Sequence, residues 1–157
     1  MSLQKYIATT ILLVLIGFVG CQPHIDARRV FVESDRYSFS GFIESIDQFP
    51  YQAEDSKVNQ VKEGYGRLVV GMSEEDCIAI LGEPDSEMLE YAQNNEVREF
   101  FGSTFGYYLA RYEAELANSE YDRQVSLYFD KSHRLFFVLP SNVEGLIELG
   151  HPVASDR

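Results

Sequence analysis

"VVGMSEEDCIAILGEPD", Val69 to Asp85, is the most organised short stretch of this chain, and its reading sets the fold class. The three consecutive acids Glu74, Glu75 and Asp76 suit either a catalytic or metal-binding cluster or the first turn of a helix. Ser73 stands three residues before Asp76. That is the spacing of a capping box, in which the hydroxyl accepts from the N3 amide while the N3 carboxylate reaches back. Acids in a first turn also meet the positive end of the helix dipole, worth about 0.3–1 kcal/mol each. Cys77, Ile78 and Leu81 then mark one apolar face. Gly82 lies where a left-handed cap needs no Cβ, and Pro84 blocks continuation. The acids therefore start a helix.

Outward from this helix, the two sides differ in character. Upstream, "SGFIESIDQFPY" sets Phe42, Ile43, Ile46 and Phe49 at helical spacing before Pro50. Ser56 to Gly64 repeats a short amphipathic pattern through Val58 and Val61. Downstream, "EVREFFGSTFGYYLARY", "RQVSLYFD" and "RLFFVLPS" are rich in aromatic and β-branched residues with partial alternation, the mark of strands. Val125, Leu127 and Phe129 should share one face, with Tyr128 on the other. "DKSH" reads as a hairpin connection, although it lacks a glycine. Helices followed by an antiparallel sheet predict an α+β arrangement.

The N-terminus points to the cell envelope. Lys5 precedes an apolar or small run from Tyr6 to Gly20, too short for a membrane helix of roughly 20 apolar residues. A basic start, a short apolar run and a small residue at its end form a signal peptide. "FVGC", Phe18 to Cys21, then resembles the bacterial lipobox, in which the cysteine thiol is fatty-acylated and becomes the first mature residue. Each buried methylene contributes about 0.8 kcal/mol, so the two or more chains of a lipoprotein, palmitate among them, anchor stably. Gln22 after the cysteine favours the outer membrane where the host has two. The expected organisation is a signal peptide over 1–20, a tether and N-terminal extension over 21–55, a domain over 56–140 and a tail over 141–157.

The formal charge of -12, which becomes -13 without the signal, argues against nucleic acid as a partner, because phosphate neutralisation needs a basic surface. With Cys21 lipidated, Cys77 lacks a partner for a disulfide, so packing must hold the core. His24, His133 and His151 are isolated and no Cys-x-x-Cys occurs, so no metal or cofactor is expected. Ser103 in "FGSTFG" falls outside the Gly-x-Ser-x-Gly spacing of a nucleophile elbow. Cys77 on an apolar helix face reads as a buried, inert thiol. No enzyme is expected. The tyrosines near the strands suggest a protein-binding surface, at Tyr108, Tyr112 and Tyr128.

"GMSEEDCIAILGEPD" also resembles the Gly-Met-Ser/Thr … Leu-Gly-x-Pro signature of the SmpA/OmlA (BamE-like) outer-membrane lipoprotein family, through Gly71, Met72, Ser73, Leu81, Gly82 and Pro84. "YYLARY" and "VSLYFDKSHRLFFV" resemble its aromatic strand and last hairpin, with His133 where the hairpin usually has glycine. The resemblance implies two helices packed on a small antiparallel sheet, and a lipid-anchored, non-catalytic binding or scaffolding module with a protein partner in the envelope. Two rival expectations are a periplasmic inhibitor or sensor that binds a soluble enzyme, and a hydrolase.

Overall fold

The computed structural model describes residues 28–93, 98–113 and 120–152. Its elements are β1 (Arg28–Glu33), α1 (Phe39–Glu44), β2 (Tyr51–Gln52), α2 (Asp55–Tyr65), α3 (Glu74–Leu81), β3 (Ser86–Gln93), β4 (Arg98–Arg111), β5 (Arg123–Asp130), β6 (Leu135–Ser141) and β7 (Leu149–Gly150). Seven strands form one antiparallel sheet in the order β1-β3-β4-β5-β6-β7, with β2 paired to the far end of β4. The lipidation site Cys21 and the signal segment 1–20 lie outside the described residues.

The expected fold of two helices on a small sheet is overturned. Strand accounts for 43% of the described residues and helix for 22%, so the sheet dominates. The extra strands escape a reading by periodicity for a physical reason. On β3, Met88 and Ala92 share a face with Glu90, and Leu89 and Tyr91 share the other with Glu87. Neither face is cleanly apolar, so no alternation shows. β1 has the same mixed character, and it lies in the segment expected as an N-terminal extension. β7 lies in the segment expected as a tail, where Val143, Leu146 and Leu149 also pack on the core.

The core forms between one face of this sheet and α2 and α3. The pairs Phe105↔Leu127 and Tyr107↔Val125 bring alternate residues of β4 and β5 to that face, and all four are fully buried. Val61 and Tyr65 of α2 and Cys77 and Leu81 of α3 close over them, joined by Leu135 and Val138 of β6. Phe105 and Phe129 meet with ring centroids 4.8 Å apart.

α3 begins as its sequence predicts. Ser73 Oγ accepts from the Asp76 amide at 3.1 Å, and Asp76 Oδ2 accepts from the Ser73 amide at 3.4 Å. At its other end Gly82 has φ 85° and ψ -176°, a conformation open essentially to glycine alone. The Gly82 amide donates to Ile78 O at 2.8 Å, and its carbonyl accepts from the Tyr107 hydroxyl at 3.0 Å. Pro84 behind it is buried. Before the helix, the Gly71 amide donates to Leu135 O at 2.7 Å, and the Leu135 amide returns to Met72 O at 2.8 Å. Gly71, Met72, Ser73, Leu81, Gly82 and Pro84 therefore tie α3 to β6 and to the core.

β1 and α1 are joined through one carboxylate. Glu33 accepts from the Ser38 hydroxyl, the Ser40 amide and the Ser40 hydroxyl, and these bonds hold its carboxyl below the usual range. No helix among the described residues is long and apolar enough to cross a membrane.

Candidate functional site

The register divides the sheet into a covered face and an outer one. Thr104↔Tyr128, Gly106↔Ser126 and Tyr108↔Gln124 are neighbouring pairs on the face away from α2 and α3, continued on β6 by Phe137, Leu139 and Ser141. Met88 and Glu90 of β3 and Arg29 and Phe31 of β1 extend it to the sheet edge. Neither α2 nor α3 covers this side.

The three tyrosines singled out in the sequence have different fates. Tyr108 is buried, which removes it from any docking surface. Its ring folds back over Gly106, where an added Cβ would lie 3.2 Å from the ring. Phe42 of α1 stacks on it at 5.2 Å and Phe39 lies 5.4 Å away. Asp85 fastens the same corner, accepting from the Tyr108 amide at 2.7 Å and pairing with Lys57 of α2. Burial pushes the Asp85 carboxyl up despite that lysine. Tyr112 is exposed beyond the end of β4, edge-on to Tyr121 at 6.0 Å. Tyr128 stands half-buried on the outer face, braced by Phe137 at 5.5 Å and Phe136 at 6.3 Å.

Two hollows open on this side of the sheet, and Tyr128 lines the second of them. One, of about 420 Å³, runs towards β1 and is lined by Arg29, Glu90, Phe101, Asp130 and Phe136 among others. Arg29 pairs with Glu90 at 2.6 Å and lies over the Phe101 ring at 4.3 Å, so its charge is held within the hollow's wall. Phe31 and Phe101 remain 58% and 40% exposed, an apolar rim on that side. The other hollow, of about 410 Å³, lies at the β5–β6 end beside Gln124, Leu139 and Ser141.

The chemically suggestive residues elsewhere form a clasp. Glu74, read as one of three helix-starting acids, is buried, and its Oε1 accepts from Ser103 Oγ at 2.7 Å. His133 Nδ1 meets the same oxygen at 3.0 Å, and its ring stacks on Phe100 at 5.1 Å. A nucleophilic serine needs its base on the hydroxyl with the orienting group behind that base. Here the histidine reaches the carboxylate and not the serine, and Ser103 is only 3% exposed. The three residues join α3, β4 and the β5–β6 turn. Cys77 is fully buried, and burial with nearby Asp76 and Glu74 pushes its thiol up to about 11. Among the described residues no three His, Cys, Asp or Glu side chains converge as metal ligands do.

Sequence reasoning missed one pair outright. Arg111 is fully buried, its guanidinium 5.0 Å from the Phe39 ring and 5.1 Å from that of Tyr108, and it pairs with Asp122 at 3.4 Å. Asp122 also accepts from the Tyr112 amide at 2.9 Å, which ties the end of β4 to the approach of β5. No local pattern marks either residue, since the pairing spans the connection between strands. Comparison with family models, with curated proteins and with solved structures finds no match to this chain.

Proposed function

We propose that this chain is a lipid-anchored protein of the cell envelope that works as a non-catalytic binding or scaffolding module, docking a protein partner on the outer face of its sheet. The observation that carries the reading is that face: a sheet surface free of α2 and α3, with α1 on its Tyr108 end, Tyr128 lining a hollow at the β5–β6 end, a second hollow towards β1, and Phe31 and Phe101 exposed at the rim. Aromatic side chains beside concave apolar surface are where protein interfaces concentrate their binding energy. The apolar run ending at Gly20-Cys21 supports the lipid anchor, facing the periplasm from the outer membrane where the host has two membranes. The likeness of Gly71 to Pro84 to the SmpA/OmlA signature supports an envelope role of that kind, in outer-membrane protein assembly or envelope integrity.

Photo-crosslinking in the native envelope tests this reading. A benzoylphenylalanine at Tyr128 should capture one protein partner, whereas the same probe at Glu63 on α2 should capture none. Equal capture from both positions, or none from Tyr128, would overturn the proposal.

A further inference from the structure

We infer that the open edge of the sheet, the outward side of β1, pairs antiparallel with the same strand of a second copy of this chain, around a two-fold axis through Phe31. The inference goes beyond the docking face and does not depend on it. β1 pairs with β3 on one side, and no described strand pairs with it on the other. The Ser34 amide donates to Glu87 O at 2.9 Å, which fixes the direction of every backbone group along the strand. Opposite residues in an antiparallel ladder alternate between pairs that exchange both bonds and pairs that exchange none. Arg28, Val30 and Val32 therefore bond to β3, while Arg29, Phe31 and Glu33 turn their amides and carbonyls to the open edge.

An open row of donors and acceptors templates another strand, and native edges are blunted by shortness, proline, bulges or lysine. The opposite edge of this sheet follows that rule. There β7 has two residues and ends on Gly150 at φ 81°. β1 has none of these devices. It is 6 residues long and its register with β3 is unbroken. Val30, Phe31 and Val32 at its centre are apolar, and Phe31 is 58% exposed.

The charges of β1 name the occupant. Both strands can bond only where outward residues meet outward residues. Of the registers that do this within β1, the one centred on Phe31 alone joins opposite charges. Arg29 then faces the second copy's Glu33 in both directions, Val30 faces Val32, and the two Phe31 rings meet on the outer face. Arg29 is held by Glu90 at 2.6 Å, and Glu33 by Ser38 and Ser40, so each head group is already fixed on that face. A parallel stack would set arginine on arginine and glutamate on glutamate, and like charges directly opposite destabilise. The formal charge of -12 opposes self-association, but β1 carries two arginines to one glutamate, so that opposition lapses at this edge. The contact is one strand wide, so its affinity is modest beside a standard interface.

The test traps the pair in the full chain, in detergent and in a Cys21→Ala background. Phe31→Cys should form a disulfide-linked dimer on mild oxidation, because the paired Cα atoms stand about 5.5 Å apart, within disulfide reach. Arg29→Cys and Glu33→Cys should each stay monomeric alone and crosslink when mixed. Ile147→Cys, at an exposed position beside β7, sets the collisional background. Crosslinking of the paired positions should run at least about ten-fold faster, since pairing makes the step intramolecular. A second measurement needs no cysteine. In the wild-type chain the Arg29, Phe31 and Glu33 amides should exchange about ten-fold more slowly once roughly nine-tenths of the copies are paired, with Val30 and Val32 unchanged. Phe31→Pro removes an outward amide and no bond to β3, so it should keep the fold and abolish that slowing. Phe31→Cys that links no faster than Ile147→Cys, Arg29→Cys that links to itself as fast as Phe31→Cys, or outward amides indifferent to concentration would overturn the inference.

Discussion

Two positions show how single residues carry the helix that opens the fold. Gly82 sits at φ 85° and ψ -176°, and its carbonyl receives the Tyr107 hydroxyl from the core strand. Valine there meets a backbone region closed to branched side chains, so Gly82→Val should destabilise the protein by about 1–3 kcal/mol. Chemical denaturation of the two proteins measures it, and equal midpoints would refute the requirement. Cys77 makes the opposite kind of claim, that a reactive group is inert. Its thiol is fully buried and is pushed up to about 11, so little thiolate forms near neutral pH. In a Cys21→Ala background the native chain should resist iodoacetamide at pH 8 and react fully once unfolded. Native-state labelling at the unfolded rate would show that the helix face opens.

At the scale of elements, the junction of β1 and α1 depends on the ionisation of Glu33. Its carboxylate accepts three bonds from Ser38 and Ser40, which lower its pKa from the ordinary glutamate value. A carboxyl depressed in the folded state adds stability above its unfolded pKa, and that stability is lost as pH falls through the folded value. Acidification below the glutamate range should therefore raise amide exchange in α1 before β4 and β5 respond. Glu33→Gln should show that faster exchange already at pH 7. Exchange in α1 that is indifferent to both changes would mean that Phe39 and Phe42, stacked on Tyr108, hold the helix alone. A helix here was legible from the spacing of Phe42, Ile43, Ile46 and Phe49, but not its extent, since α1 runs from Phe39 to Glu44 and leaves Ile46 and Phe49 outside it. Nor was its target, because a helical stripe does not name the strand residue that it will cover.

Across the whole molecule, the sheet presents its outer face on a protein expected to sit at a membrane surface. Metabolic labelling with a fatty-acid analogue should mark the wild type and not Cys21→Ala, with the label lost at that single position. Equal labelling of both would remove the anchor from the proposal. What the sequence determined by itself were the features with local causes. The capping box of Ser73 and Asp76, the positive φ of Gly82 and the inward face of Val125, Leu127 and Phe129 each depend on residues within a few positions of one another. Even His133, where a glycine was expected, takes a positive φ of 57° because the turn demands it. Only the tertiary structure decided the size of the sheet, since β1, β3 and β7 pair through backbone groups that every residue carries, without a clean side-chain alternation to announce them. It also decided the roles of Glu74, Arg111 and Tyr108. Each acquires its partners from other elements of the fold, and a side chain's burial is a property of what folds over it.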